Sequence, residues 1–548
     1  MADSTLTSLG FATTLTGTET MYLNQSGSKK ATTSQLKDYI ATWSNITGKP
    51  STFTPSAHTH LAAEVTDLFV RIDPHMPPFN AKGGAVGEAD GVVSGGTTFS
   101  SAKYTFTSAD IGKIIYIAGV ATTIASISGA SAVLTDSLSN GSGKQWFCGW
   151  DDTAAIQAAI TAAKTWGASV GSGASSSGSA GGAMAWGGMV QLRPTGYLIK
   201  NSQADYDGGK LGALVVPRRV TIRGHGIAAT HLYLGIGNIG HGICNENQNG
   251  YDDFIQMSGF SLWCNGGYQP SGCLDGIRHY AAFNGYQKID TFSRYSDIMV
   301  MEAKRDGFYF SGRGEMIIEN LMAQWCSRYG LFFDGLLDSR VTHCNSGGAQ
   351  YAGIKINRCA NVHFTNCKSF YSGASGGTAI GDCANWYVTA DQPRNGYCFF
   401  TSCEGQEARG SNWVIESGYN QLIGCIGSDP SRDPLGGATG RPTVRASFHL
   451  RLNGGTNAYS THLSACRGGP SLTIWDASPH GGTHLLYVDS GVTRCSGDVW
   501  SFDDVLYEDA NNRTTTDGSN GTAGAVKGGA GTTSGNNLNL SADGVACT

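Results

Sequence analysis

Two short stretches concentrate the acids of a chain in which only 14% of residues are charged. MEAKRDGFYF holds Glu302 and Asp306 beside Lys304 and Arg305, and CEGQEARG holds Glu404 and Glu407 beside Arg409. Carboxylates are the usual catalysts of glycosidic cleavage: a pair about 5–5.5 Å apart retains the anomeric configuration, and about 6.5–9.5 Å inverts it. Glu302, Asp306, Glu404 and Glu407 are therefore the expected catalytic residues. Arg305, Arg328, Tyr351, Lys368 and Arg409 are the expected substrate-binding set, a mix of cations and phenol suited to an anionic or amino-sugar glycan. Elimination beside a uronate carboxylate is also open to these residues, since it needs a base and cations to stabilise the developing enolate. Arg305, Lys368, Arg409, Tyr351 and His343 could serve there, although His343, between Thr342 and Cys344, reads as a buried strand histidine. Separately, a strand through His58-Thr59-His60 would point both imidazoles to one face, where they could ligate a transition ion.

A repeat must position these groups. Glycines 307, 330 and 353 each open a short apolar strand (GFYF, GLFF, GIKI) at a spacing of 23 residues. Extending the register gives GTAI at Gly377 and NWVI at Asn412. Eight positions after each start stand Glu315, Asp338, Asn361, Asn385 and Asn420, expected to stack as a turn ladder in which Asn tolerates left-handed geometry. Three positions further stand Ile318, Val341, Phe364, Val388 and Ile423, all apolar. A period of 20–25 residues marks a solenoid, and short strands in place of helices make it a parallel β-helix rising about 4.8 Å per coil. Both acidic clusters directly precede aligned strand starts, so both are expected on one lateral face. The long interval from Gly377 to Asn412 places an insertion at ADQPRNGYC, where solenoids usually carry function.

Composition agrees. Glycine supplies 78 of 548 residues, about twice its usual share of roughly 7%, without the every-third-residue period of collagen. With 40% hydrophobic residues the chain can bury a large core, which excludes a disordered protein. A net charge of −5 leaves no footprint for nucleic acid or an anionic membrane. The opening MADSTLTSLG lacks a basic-then-apolar leader, and the uncharged run from Ile114 alternates as strands do. Fifteen cysteines without zinc-type spacing read as reduced core thiols of a protein assembled in a reducing cytoplasm.

Several segments carry a family resemblance. TGTETMYLNQSGSKKATTSQLKDYI resembles the virion-attachment start of phage tailspikes, and WSNITGKPSTFTPSAHTHLAAEVTDL resembles a repeat of phage tail fibres. FNAKGGAVGEADGVV and DDTAAIQAAITAAKTWG resemble two usually adjacent halves of the opening of pectate-lyase-like β-helices. Here about fifty-five residues separate them and read as a small inserted β domain. Asp151, Asp152 and Thr153 read as the cap of a helix whose Ile156 and Ile160 cover one end of the core. The chain thus resembles a phage tailspike. The resemblance implies an all-β, right-handed parallel β-helix in an elongated homotrimer, with small N- and C-terminal β modules. Its expected divisions are an attachment module (1–40), a neck (41–78), a cap with the inserted domain (79–150), the β-helix (151–470) and a C-terminal cap or trimerisation region (471–548).

The implied function is recognition and depolymerisation of a host surface polysaccharide, O-antigen or capsule, by a hydrolase or a uronate lyase. The implied partners are that glycan, phage tail or baseplate proteins and two further copies of the chain, with no nucleic acid and no membrane insertion. The expected location is the virion tail. No cofactor is expected for catalysis. On a threefold axis, however, His58 and His60 of three chains would offer six nitrogens to a structural divalent ion, as the H-T-H of tail fibres can. A non-enzymatic tail fibre that holds the glycan without cutting it is the alternative.

Overall fold

The structure is a computed structural model. It describes residues 71–170, 187–200, 212–246, 254–280, 292–311, 314–374, 380–389, 397–417, 419–428 and 447–450, and beyond these only short strands up to residue 547. All belong to the second of two units, Phe69–Thr548. The expected attachment module, most of the neck, His58 and His60 lie outside the described residues.

Two long sheets run in parallel along the unit, one of nineteen strands and one of eleven. Every coil contributes to both. In one coil Arg340–Thr342 and Asn345–Gly347 lie in the first sheet and Ile354–Asn357 in the second. Parallel pairing repeats at 23 residues: Phe308 pairs with Leu331, and Leu331 with Ile354. The fold is a parallel β-helix. Residues Arg71–Ile72, assigned to the neck by sequence, already pair in parallel with Met189–Val190 of the first sheet. The chain then leaves the solenoid to form a closed six-stranded barrel between Val86 and Gly149. It returns through a helix, α1 (Thr153–Val170), whose Ile156, Ile160 and Ala163 are fully buried in the solenoid core.

The paired acids before α1 divide their work. Asp151 Oδ1 accepts from the Thr153 amide at 3.1 Å and caps the helix. Buried Asp152 accepts from the Lys82 and Gly83 amides at 2.6 and 2.9 Å, tying the strand that enters the barrel to the start of α1.

One apolar core extends from Ile72 to Cys466, in which like residues stack coil on coil. Trp386 lies 4.5 Å from Trp413, the two rings stacked nearly parallel, and Phe364 lies 5.0 Å from Phe400. Each such side chain removed from water contributes about 1.5–3 kcal/mol. Thirteen described cysteines are buried and free of disulfides. Five of them (Cys344, Cys367, Cys403, Cys425 and Cys466) occupy one column, each following a corner residue with positive φ or its glycine equivalent.

The register departs from the sequence reading after Gly353. Ile354 pairs with Trp386 and Trp386 with Trp413, so the strand start is Asn385 and not Gly377. The corner changes chemistry there. A methyl group on Gly330 or Gly353 would collide with the Ser346 or Ser369 hydroxyl of the first sheet. In the next coils the corner residue is asparagine: Asn385 Nδ2 donates to Asn412 Oδ1 at 2.7 Å, and Gly405 leaves room for Asn412. Asn385 and Asn420 therefore do not extend the turn column of Asp338 and Asn361, which stack on each other at 2.5 Å. The apolar column continues as Ile318, Val341, Phe364, Phe400 and Leu422, without Val388 and Ile423. Much of the excess length lies before Trp386, around a 3-10 turn Ile380–Cys383. Residues 390–396 of the expected insertion lie outside the described residues.

Candidate active site

Strand alternation gives the second sheet an inner and an outer face. Phe308, Phe310, Leu331, Phe333, Ile354 and Ile356 fill the core. Their neighbours Tyr309, Phe332, Lys355 and Tyr387 form one outward row in register, and Ser311, Asp334 and Asn357 form the next. Tyr309, Tyr329, Phe332 and Ala352 are a separate apolar cluster, with Tyr280, Tyr351 and Tyr387 packed against it. This outer face is aromatic and crossed by ionised groups.

At its centre the Tyr329 hydroxyl accepts from Lys355 Nζ at 2.8 Å and donates to Asp382 Oδ1 at 2.9 Å. Lys355 Nζ also lies 4.6 Å from the Tyr329 ring centroid and 5.1 Å from that of Tyr387. The Tyr387 hydroxyl donates to Glu416 Oε2 at 3.1 Å. Burial, and then the Asp382 charge, push the Tyr329 phenol far up, so it keeps its proton and acts as a donor. Burial and Glu416 do the same to Tyr387. Two carboxylates, Asp382 and Glu416, are thus held by two protonated phenols beside one ammonium. Asp382 sits on the 3-10 turn of the insertion, partly exposed.

Beside this cluster runs a ladder of ion pairs. Asp334, 5% exposed, accepts from Tyr309 Oη at 2.7 Å and from Arg358 Nε at 2.7 Å. Asp275 accepts two bonds from Arg305, at 2.6 and 2.7 Å, and one from Arg278 at 3.0 Å. Asp306 accepts from Nε and one terminal nitrogen of Arg328 and from the Tyr329 amide at 3.3 Å. Each acid is thus clamped by an arginine from a later coil.

These contacts redistribute the residues expected from sequence. Glu302 and Glu407 occupy one left-handed corner column together with Trp325, Gly348 and Tyr371. They stand four coils apart, roughly 19 Å at about 4.8 Å per coil. The two acidic clusters share a lateral column, as expected, yet they cannot form one catalytic pair. Asp306 is fully buried in its ion pair with Arg328, so its carboxylate stabilises the turn and has no access to a ligand. Arg305 is held by Asp275 in the same way. Glu404 pairs with Lys368 at 3.1 Å across neighbouring strands of the first sheet. Glu407 and Arg409 are buried, at 4% and 6% exposure. Arg328 and Tyr351 do adjoin the site: Arg328 lies over the Tyr329 ring at 4.9 Å, and Tyr351 is 5.9 Å from it. His343 is exposed at a left-handed corner, not buried in a strand.

The sequence reading passed over Tyr329, Lys355, Asp382 and Tyr387. The strand alternation in GLFFD and GIKIN could have revealed Phe332, Asp334, Lys355 and Asn357; nothing local marks Asp382. Among the described residues no group of three His, Cys, Asp or Glu side chains could hold a metal ion. No described helix is long and apolar enough to cross a membrane.

No family model matches the chain, and no curated protein matches its sequence. Among solved structures it is similar to the A-module of the mannuronan C-5 epimerase AlgE4 of Azotobacter vinelandii, at 16% identity, over 58% of this chain and 91% of that one, with a TM-score of 0.41. It is also similar to tailspike protein 2 of the Escherichia coli O157:H7 bacteriophage CAB120, at 13% identity, over 67% of this chain, with a TM-score of 0.39. The chain spans 46% of that tailspike's length. Pectate lyase Pel9A is similar at 11% identity, over 64% and 86% of the two chains, with a TM-score of 0.36.

Proposed function

We propose that the chain is a polysaccharide-processing tailspike that binds a bacterial surface glycan along the outer face of the second sheet and cleaves it there. One observation carries this reading: Lys355 lies against two protonated phenols that hold the carboxylates of Asp382 and Glu416, on an aromatic cluster separate from the core. Apolar ring faces with a few oriented polar groups suit a sugar polymer. Either a glycosidase or a lyase can be built from this set. In a glycosidase Asp382, the partly exposed carboxylate, would meet the scissile bond, and Glu416, 4% exposed, would hold the Tyr387 phenol beside it. In a lyase Lys355 and Arg328 would offset the enolate charge while a carboxylate takes the proton.

The experiment is incubation of the purified protein with capsular and O-chain polysaccharides, followed by chain length and product ends. Shortening with new reducing ends supports the hydrolase, and unsaturated ultraviolet-absorbing ends support the lyase. A glycan that binds without being shortened would make the chain a receptor-binding fibre instead.

The homotrimer, the virion-tail location and the binding of tail proteins belong to the same proposal, supported by the N-terminal resemblances. Sedimentation of the full chain as a monomer would contradict the trimer. A divalent ion on His58 and His60 is likewise proposed; metal analysis of the intact protein against His58→Ala tests it, with equal metal in both as the contrary result.

A further inference from the structure

At the corner that ends its strands, the first sheet carries a column with large exposed rings. Trp325 is 55% exposed and Tyr371 is 40% exposed, both with positive φ (56° and 54°). The corner asks the same left-handed backbone of Glu302, Gly348 and Glu407, a conformation that glycine or asparagine adopts at least cost, yet two of its positions carry large exposed rings. Between them in the column is Gly348, preceded by Gly347. A methyl group on Gly348 would run into the Trp325 ring, and one on Gly347 would meet the Phe370 ring at 2.5 Å. The Gly-Gly pair is therefore a floor on which two rings from neighbouring coils lie. Phe370 meets Tyr371 edge-on at 5.7 Å, extending the surface.

We infer that Trp325, Phe370 and Tyr371 form a second glycan-binding subsite, in which sugar rings stack their C–H faces on the exposed aromatic surface. Trp325 and Tyr371 are two coils apart, roughly 10 Å at about 4.8 Å per coil, so an extended chain laid along the solenoid axis meets both. The surroundings favour a sugar over a second protein. Lys368 and Glu404, partly exposed at 35% and 31%, flank the rings with Gln406, which accepts from Lys368 Nζ at 2.7 Å. A stable subunit contact needs about 800 Å² per partner with a charge-depleted centre, and this strip of three rings bordered by ions offers neither. Trp325 and Tyr329 lie in one turn, so the strip adjoins the proposed cleavage site and would hold the polymer while it is cut. The inference rests on the glycan reading but does not require cleavage.

The test uses the full chain carrying Asp382→Asn, so that binding is read without turnover, and a panel of purified capsular and O-chain polysaccharides. Trp325→Asn removes the ring while keeping a residue that accepts the left-handed corner. The expected result is a glycan-dependent change in tryptophan fluorescence that Trp325→Asn weakens, with affinity falling roughly tenfold or more at an unchanged melting temperature and sedimentation coefficient. Unchanged affinity, or no glycan response anywhere in the panel, would overturn the subsite. A changed sedimentation coefficient with unchanged affinity would assign the strip to a contact between copies. Binding that depends on Trp325, together with no shortening of the same polymer by the chain with Asp382 intact, would remove the proposed cleavage and leave this subsite standing.

Discussion

Tyr329 donates a 2.9 Å hydrogen bond to Asp382 across 53 residues of sequence. The solenoid brings Tyr329 to the end of one corner, and the lengthened coil brings Asp382 back over it on a 3-10 turn. Removing the charge alone, as Asp382→Asn, should lower kcat about 10²–10⁴-fold, the usual range for a positioned acid or base. Glycan affinity should remain close to wild type. Steady-state kinetics of polymer shortening check this; a variant with full kcat would exclude that residue from the chemistry.

Lys355 separates two roles. Its ammonium lies against Tyr329 and Tyr387, so Lys355→Met should raise KM for a uronate-containing polymer while leaving affinity for a neutral one little changed. If the reaction is an elimination, kcat should fall as well. Equal behaviour of the two polymers would contradict the assignment.

Asp306 should give the solenoid a pH signature. Burial, with the Asp275 charge adding to it, pushes this carboxyl up to about 6 from an ordinary 3.8, against the opposing pull of Arg328. A folded value above the unfolded one stabilises fully below the unfolded value, and the gain is lost as pH rises through the folded value. Burial also works to raise Asp275, but hydrogen bonds from His241 and Arg305 outweigh it and hold that carboxyl below its ordinary range. Its own contribution is therefore lost only under stronger acid. Asp306 thus favours the folded chain on the acid side of its titration, and Asp306→Asn should remove that contribution from the dependence of melting temperature on pH. A slope unchanged by the substitution would contradict it.

The cysteine column should be inert while folded because all five thiols are buried. Burial raises the thiols of Cys344 and Cys403 well above their ordinary value. It also works to raise Cys367 and Cys425, but hydrogen bonds from neighbouring thiols of the column outweigh it and hold those two below the ordinary value. Each thiol in the column contacts a backbone carbonyl of its own or the preceding coil. A chromogenic thiol reagent should therefore leave Cys344, Cys367, Cys403, Cys425 and Cys466 unlabelled until denaturant unfolds the chain. Rapid labelling of this column in native buffer, located by peptide mapping, would contradict it.

The solenoid was legible because three consecutive coils repeat Gly and apolar residues at 23 positions, and parallel stacking forces in-register neighbours to match. Legibility failed where the corner exchanged Gly opposite Ser for Asn385 and Asn412, with Gly405 making room for Asn412, because a compensated exchange preserves volume and not residue type. The site failed for a related reason. Acid density drew attention to Glu302, Asp306, Glu404 and Glu407, but acids beside arginines in a solenoid corner are what a structural ion-pair ladder also requires. Asp382 enters the site only through coil length, which no short motif encodes.

Cleavage of a glycan on the outer face of the second sheet is tested by size-exclusion chromatography of capsular and O-chain polysaccharides after incubation with wild type and with Asp382→Asn. At least one polymer should be shortened by wild type and left intact by Asp382→Asn. A polymer shortened equally by both, or bound by wild type and never shortened, would contradict cleavage at this face.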